Sequence, residues 1–373
     1  MHHHTLEILR GLGTQFPEDR YYLFFDAALL GSPMLDREFI SGLAPNCEPV
    51  PLRTFGPTAR AARLAWLAWH VPRACATWKV DLFHSFGHTL PYAIGRPSVL
   101  TVHDLMPVEL LSWTAHDADA AHRRRLLLSA VRRATGICAV SAATRREILA
   151  VAPRNPDTVV VVPNAVRETL VRVHDDHRLR DVGARYQLPP RFLLTIGPDM
   201  PRRNYSRLVE AVALGRSAGK TQLPVVFVGA SRWSTTRVFQ QSAAGNLNGT
   251  IRFLTDVPDE DLSALFTLAA AYVCPSVHEG FCMPALEALA CGTPVICSDL
   301  PVLHEVAGED AIFFDPANPL SISDALTRFA ERPEPSDEQR ARWASRGRRF
   351  DWNTSARTVR TLYEQIRQQG RTI

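Results

Sequence analysis

Residues 278–299 read HEGFCMPALEALACGTPVICSD and place two glutamates, Glu279 and Glu287, on either side of Pro284. The apolar run AYVCPS leads into them, and the run TPVICSD closes the stretch. Proline has a φ preset for a first helical turn and glycine tolerates the place just past a helix end, so Pro284 and Gly292 bracket a short helix. The spacing therefore predicts strand, loop, short helix, strand. Ligands of open α/β sheets lie outside the carboxyl ends of the strands, which puts Glu279, Gly280, Phe281 and Cys282 on a loop at that edge, with Met283 opening the helix. Backbone N–H groups of the loop and of the helix start face an anion there, and the helix dipole adds positive charge. A diphosphate fits. Carboxylates beside it suit the neutral hydroxyls of a ribose or hexose, with Glu287 on the ribose and Glu279 on the sugar side. The plainer alternative is a capping role for one glutamate and a solvated helix face for the other, and Gly280, Pro284 and Gly292 around them disfavour it.

The rhythm continues outward from this stretch. From Phe192 onward, FLLTIG, PVVFVG, TIRFLTDV, AYVCPS, TPVICSD and AIFFDP alternate with helical patterns such as YSRLVEAVALGR and DEDLSALFTLAA. Short continuous apolar runs separated by amphipathic helices indicate a parallel sheet covered on both faces. The first half repeats the pattern more weakly, with strands YYLFFD, DLFHSF, SVLTVHDL, GICAVSA and TVVVVPNAV and helices near 58–77, 116–134 and 142–151. The charged segment 167–191, ending in LPPR, reads as a linker, and the boundary is set at Leu188. The expected organisation is α/β, two Rossmann-like doubly wound domains with a cleft between them: 1–187, 188–350, and 351–373 a C-terminal helix packing back on the first. The chain opens almost directly in a helix with Leu6, Leu9 and Leu12 on one face, so the first strand of domain 1 is missing. MHHH reads as a native start, a tag remnant or a sign of a start further upstream.

At 373 residues the chain exceeds one ordinary core, and a prior near 150 residues per domain also gives two. Apolar content of 46% with 21% charged residues is that of a folded protein, and no run of about 18 apolar residues exists to span a bilayer. The N-terminus lacks the basic and apolar segments of a secretory signal, which points to the cytoplasm. The seven cysteines form no CxxC and read as reduced, mostly buried thiols rather than zinc ligands. A net charge of +4 favours anionic partners without choosing among nucleotide diphosphates, phospholipid and nucleic acid. No reader motif for nucleic acid accompanies the basic helices, so that partner is set aside.

The stretch HEGFCMPALEALACGTPVICSDLPVLHEVAGEDAIFFDP resembles the donor-site signature of the retaining glycosyltransferases of the GT-B fold, family 4, with two glutamates separated by seven residues. FHSFGHTLPY, TVHDLMPVE, AVSAATRREIL, VVPNAV, TIGPDMPRRNYSRLVEA, VFVGA and FDWNTSARTVRTLYEQI look like blocks of that family in its order, and the nearest resemblance is to bacterial mannosyltransferases of O-antigen and other surface polysaccharides. In TIGPDMPRRN a strand ends at Gly197 and the loop delivers Arg202, Arg203 and Asn204, where the family usually shows Pro-Arg-Lys-Asn. By that resemblance Arg203, and after it Arg202, neutralises the departing nucleoside diphosphate. His103 in TVHDLMP corresponds to the family histidine beside the donor hexose and the reacting centre, while Asp104 reads as a loop-stabilising residue.

The resemblance implies transfer of a hexose, mannose from GDP-mannose, from a GDP- or UDP-hexose donor to a glycan or polyprenyl-linked acceptor with retention. It implies no cofactor and no metal. No nucleophile is evident, which suits a front-face mechanism. A glycosidase-like use of Glu279 and Glu287 competes with it. Arginines interleaved with Trp66, Trp69, Trp78 and residues 126–128 read either as a peripheral face for an anionic membrane or as ordinary amphipathic helices. Three departures from the family stand out: the absent first strand, Cys282 where glycine is commoner, and Arg203 for lysine. The alternatives are a nucleotide-sugar-binding partner in polysaccharide assembly without turnover, and another GT-B enzyme such as an epimerase or phosphorylase.

Overall fold

A computed structural model describes residues 2–29, 42–53, 65–87, 89–105, 118–229 and 233–369. The chain divides into two compact units. The first comprises the described residues up to Asn164 together with those from Asp351 onward, and the second comprises Ala165–Phe350.

In the first unit, helix α1 (His2–Gln15) leads to strand β1 (Tyr21–Asp26), which pairs in parallel with β2 (Cys47–Leu52). A π turn (Trp66–His70) and α2 (Val71–Thr77) follow, then β3 (Phe83–Ser85), β4 (Ser98–Val102), α3 (Ala118–Arg133), β5 (Gly136–Ala139), α4 (Ala142–Val151) and β6 (Val159–Val161). Strands β3 to β6 form a parallel sheet in that order. Every residue of β4 and β5 is buried, as in a sheet with both faces covered. Strand β2, CEPVPL, escaped the sequence reading because Pro49 and Pro51 argue against a strand interior; among the described residues it is paired with β1 alone, the setting that tolerates proline. The helix start expected near Thr58 and the first residues of the helix expected from His116 lie outside the described residues.

No strand precedes α1 among the described residues. The edges of β1 and β3 both line one cavity of about 730 Å³, whose wall also includes Leu9 and Leu12 of α1 and Tyr363. Unpaired edges of this kind leave β1 mostly half-buried. The C-terminal helix of the chain, Trp352–Gln369, belongs to this unit and packs on α1. Val359, Leu362 and Ile366 join Ile8, Leu12, Val99 and Cys138 in one core, each large side chain stabilising by roughly 2 kcal/mol. The approach is close enough that a Cβ on Gly136 would lie 2.5 Å from Ile366 Cδ1.

Two histidines tie the unit together. His84 shares hydrogen bonds with the Tyr363 hydroxyl through Nδ1 (2.6 Å) and with Thr101 Oγ1 through Nε2 (2.8 Å). His4 is buried, bonded through Nδ1 to Asn164 Oδ1 at 2.7 Å, and packs edge-on against Trp352 and His103.

The second unit begins with α5 (Asp176–Arg185), followed by β7 (Leu193–Ile196), α6 (Tyr205–Ser217), β8 (Val225–Val228), α7 (Arg237–Ala244), β9 (Ile251–Leu254), α8 (Asp259–Leu268) and β10 (Ala271–Cys274). It continues with α9 (Met283–Ala290), β11 (Val295–Ser298), α10 (Pro301–Ala307), β12 (Ile312–Phe314), α11 (Pro319–Ala330) and α12 (Asp337–Gly347). All six strands are parallel in the order β12-β11-β10-β7-β8-β9. The chain leaves β7 toward β8 and β9, then returns to the other side of β7 with β10. The switch point is thus the gap between the carboxyl ends of β7 and β10, where open α/β sheets bind ligands.

The division between the units falls at Asn164, upstream of the expected boundary at Leu188, and the segment read as a linker contains α5. That segment packs within the second unit. Val173 N–H donates to Thr267 Oγ1 (3.1 Å), and the Leu170 carbonyl accepts from Arg348 (2.9 Å). Asp261, at 2% exposure, accepts 2.7 Å hydrogen bonds from Arg185 and from the Tyr186 hydroxyl. Two of the segment's charges, Arg178 and Arg185, are partners of this buried carboxylate.

Burial pushes the His84 imidazole down to about 3 and His4 to about 4, against about 6.5 in an unfolded chain. Both rings are neutral in the fold, so this contribution to stability is present above pH 6.5 and declines on acidification from there toward pH 4 and below. Long-range ¹H–¹⁵N spectra should show neutral His4 and His84 rings at pH 5.5; cationic rings at that pH would contradict their buried placement.

Candidate active site

The switch point is built by two loops. After β7, Gly197 turns the chain at φ 136°, and Pro201–Arg203 form a single 3₁₀ turn. A Cβ on Gly197 would stand 3.1 Å from Arg203 Cζ, so glycine lets the guanidinium lie against the strand end. Asn204 then adopts a left-handed conformation (φ 57°) and starts α6. Its amide group donates to the carbonyls of Pro275 (3.0 Å) and Pro316 (2.8 Å), beyond the ends of β10 and β12. Asn204 therefore ties three strand ends together. Val277 N–H also donates to the Arg202 carbonyl at 2.9 Å, which joins the β7 loop to the β10 loop directly.

The β10 loop carries Glu279, whose side chain is buried. Its Oε2 accepts from Arg202 Nη1 at 2.8 Å, and its Oε1 accepts from Ser276 Oγ at 2.8 Å and lies 3.3 Å from Arg203 Nη1. A carboxylate removed from water requires such partners. Arg203 is itself buried. Desolvation alone would lower its pKa, but Glu279 foremost, then Tyr272 and Tyr205, raise it, and it stays a cation. Its Nε is buried without a hydrogen-bond partner among the described residues, leaving a donor unsatisfied beside the switch point.

Helix α9 follows. Cys282 precedes it in the left-handed region at φ 70°, where glycine is at ease, and Met283 and Pro284 form its first positions. Gly292 follows its last turn at φ 71°, as the spacing of Pro284 and Gly292 predicts. Phe281 is buried edge-on against Phe350, with ring centroids 5.3 Å apart, and so anchors the loop. Glu287, one turn into α9, is half-buried, and desolvation pushes its carboxyl up to about 7. Arg167 and Arg203 work against that rise and Asp259 adds to it.

The structure thus brings together Gly197, Arg202, Arg203, Asn204, Glu279, Gly280, Phe281, Cys282, Met283 and Glu287 on two loops and one helix of the second unit. Within that set, Asn204 and Phe281 hold the loops to the scaffold. His103 lies in the first unit, directly after β4, with Nε2 3.2 Å from the Phe86 carbonyl. Ser276 and Arg167 escaped the sequence reading. Ser276 had a local signal, three residues before Glu279 in a tight loop, whereas Arg167 is brought near Glu287 only by tertiary folding.

Two Rossmann-like units with this site at the switch point define the GT-B class of glycosyltransferases. The fold is shared with sucrose-phosphate synthase from Thermosynechococcus elongatus, at TM-score 0.71 and 20% identity over 96% of this chain and 92% of that one. It is also shared with Anabaena HepE crystallised with UDP-glucose, at TM-score 0.70 and 16% identity over 96% of each chain. The family model "Glycosyl transferases group 1" matches residues 184–350 and "Glycosyltransferase Family 4" matches 20–170. The chain belongs to this glycosyltransferase family. Among curated relatives, O-antigen chain mannosyltransferase B of Escherichia coli is 29% identical over 288 residues, covering 77% of this chain and 75% of that protein.

An unfolded glutamate releases its proton near pH 4.3, whereas folded Glu287 keeps it to about pH 7. The folded state binds the proton more tightly between these values, so stability falls as pH rises through that window. Glu287→Gln should therefore raise stability at pH 8 by up to about 3 kcal/mol and change little at pH 4, read from denaturant melts at both pH values. Equal effects at the two pH values would show that Glu287 is not desolvated.

Proposed function

We propose that this glycosyltransferase moves a mannose from GDP-mannose to a glycan or polyprenyl-linked acceptor, with retention at the anomeric carbon and without a metal ion. The observation that carries the reading is the convergence of Arg202 and Arg203 on a buried carboxylate at the switch point of the parallel sheet. Two arginines balanced by one glutamate leave a net positive site for the diphosphate, and Arg203 Nε is a donor still to be satisfied. Charge building on the leaving nucleoside diphosphate meets cations already fixed in place, so little reorganisation is needed at the moment of transfer. Glu287 accepts from the ribose hydroxyls and Glu279 from the hexose, and by resemblance to the family His103 of the first unit serves the transfer step.

Glu279 has both oxygens engaged by Arg202, Arg203 and Ser276, which makes it a poor nucleophile. This favours a front-face route, in which the leaving phosphate takes the acceptor proton, over a glycosidase-like double displacement. The E. coli relative named as a mannosyltransferase supports mannose. HepE bound to UDP-glucose supports a nucleotide sugar as donor, with UDP as the competing base. No helix among the described residues is long and apolar enough to cross a membrane. Trp69, 76% exposed, and the exposed Arg73 on the adjoining α2 support a peripheral contact with anionic lipid at the inner face of the cytoplasmic membrane.

The deciding test is thermal stabilisation by GDP, UDP, ADP and their hexose conjugates, followed by transfer assays with the nucleotide that binds. A shift by guanine nucleotides that Glu287→Ala abolishes is the expected result. Stabilisation without transfer would instead favour a binding partner, and epimerised donor an epimerase. Arg203→Ala should lower kcat by a factor on the order of 10²–10³, with partial recovery in Arg203→Lys, because a point cation replaces part of the fork. Because Glu287 must be ionised to accept from the ribose and titrates at about 7, donor Kd should rise about tenfold per pH unit below pH 7. A Kd flat from pH 5 to 8 would remove Glu287 from the ribose.

A further inference from the structure

We propose that Cys274 and Cys282 are an oxidation site, a thiol pair that a hydroperoxide converts reversibly into a disulfide closing the loop that carries Glu279. Cys274 is the last residue of β10 and Cys282 the residue before α9, and their Sγ atoms lie 3.4 Å apart. A disulfide bond is about 2.05 Å long, so the sulfurs need close by only about 1.4 Å. The two thiols belong to a buried relay. Cys282 and Cys274 share a hydrogen bond between their sulfurs, Cys274 Sγ donates to Ser276 Oγ (3.6 Å), and Ser276 Oγ donates to Glu279 (2.8 Å).

The surroundings also polarise the pair. The Cys274 thiol is held below its ordinary range, first by the Cys282 hydrogen bond and further by the Arg203 charge, against burial and Glu279, which oppose it. Cys282 is pushed well up by the same hydrogen bond and by burial. The two thiols titrate as one unit, and the Arg203 charge favours its ionised form. The remaining groups facing the pair are Tyr272, Tyr205 and, across the sheet, Cys297, which is paired in register with Cys274.

In the first step the Cys274 thiolate attacks one oxygen of the peroxide. The O–O bond breaks, a sulfenic acid forms, and the departing hydroxide takes up a proton to leave as water. In the second step Cys282 attacks the sulfenic sulfur, the S–S bond forms and a second water leaves. Two electrons pass from the thiol pair to the peroxide, and a dithiol returns them on reduction. Cys274, Cys282 and Glu279 also present ligand atoms within 4.8 Å of one another, but a divalent cation there would face Arg202 and Arg203 across the carboxylate they already neutralise.

The disulfide removes the thiol donor to Ser276 and shifts the loop that sets Glu279, and a displacement near 1 Å at such a site costs up to about 100-fold. Only this consequence rests on the donor-site reading. The test is mass mapping of the whole protein before and after hydrogen peroxide, then after dithiothreitol, with Cys274→Ala in parallel. A linked Cys274–Cys282 peptide lighter by two hydrogens, reversed by dithiothreitol and absent from the variant, is expected. Linkage through Cys297, irreversible oxidation of Cys282, or zinc retained stoichiometrically by the reduced thiols overturns the proposal. Nucleotide titration of the same samples should show binding weakened at least about tenfold in the oxidised protein and restored on reduction, while peroxide leaves binding to the variant unmoved. A mapped disulfide with unchanged affinity overturns the regulatory consequence. Failure of the reduced protein to bind any nucleotide instead counts against the donor site, and the mapping still decides the thiol chemistry.

Discussion

A carboxylate withdrawn from water must be neutralised where it stands, and Glu279 is such a carboxylate. Its partners, Arg202 and Arg203, lie 77 and 76 positions earlier in the chain, on the loop after β7. Only a sheet that sets β7 beside β10 can supply them, so the ion cluster and the strand order stand or fall together. Asn204 enforces the same arrangement with neutral groups by holding the carbonyls of Pro275 and Pro316. The site is rigid because its loops are bound to each other as well as to their strands.

The two glutamates of the signature lie on one loop and helix yet occupy opposite electrostatic regimes. Glu279 is surrounded by cations and a hydroxyl, whereas Glu287 suffers chiefly desolvation and titrates at about 7. Eight positions of sequence separate a fixed counter-charge from a carboxyl poised near neutrality. That difference makes one a fixed partner of the arginines and leaves the other free to change charge near neutrality.

Much of this was legible beforehand where local chemistry is strong. Short apolar runs located eleven of the twelve strands of the described residues, and Pro284 with Gly292 framed α9. β2 was hidden because Pro49 and Pro51 oppose strand propensity, and its having β1 as its one partner among the described residues makes them tolerable. The segment 167–191 looked like a linker because it is rich in charge and ends in LPPR, yet it contains α5, and its Arg185 and Tyr186 hold the buried Asp261. Asn204 looked like a ligand-binding side chain, but its amide is committed to backbone carbonyls.

Read alone, the chain was enough to establish alternating parallel architecture and its family, since each rests on spacing within a few residues or on a contiguous motif. Tertiary structure alone decided that Glu279 is the counter-ion of both arginines, that Arg167 approaches Glu287, that the units divide at Asn164, and that Cys274 meets Cys282. These depend on which strand ends lie side by side and on how far each group is withdrawn from water. Neither strand order nor desolvation is a local property of the sequence.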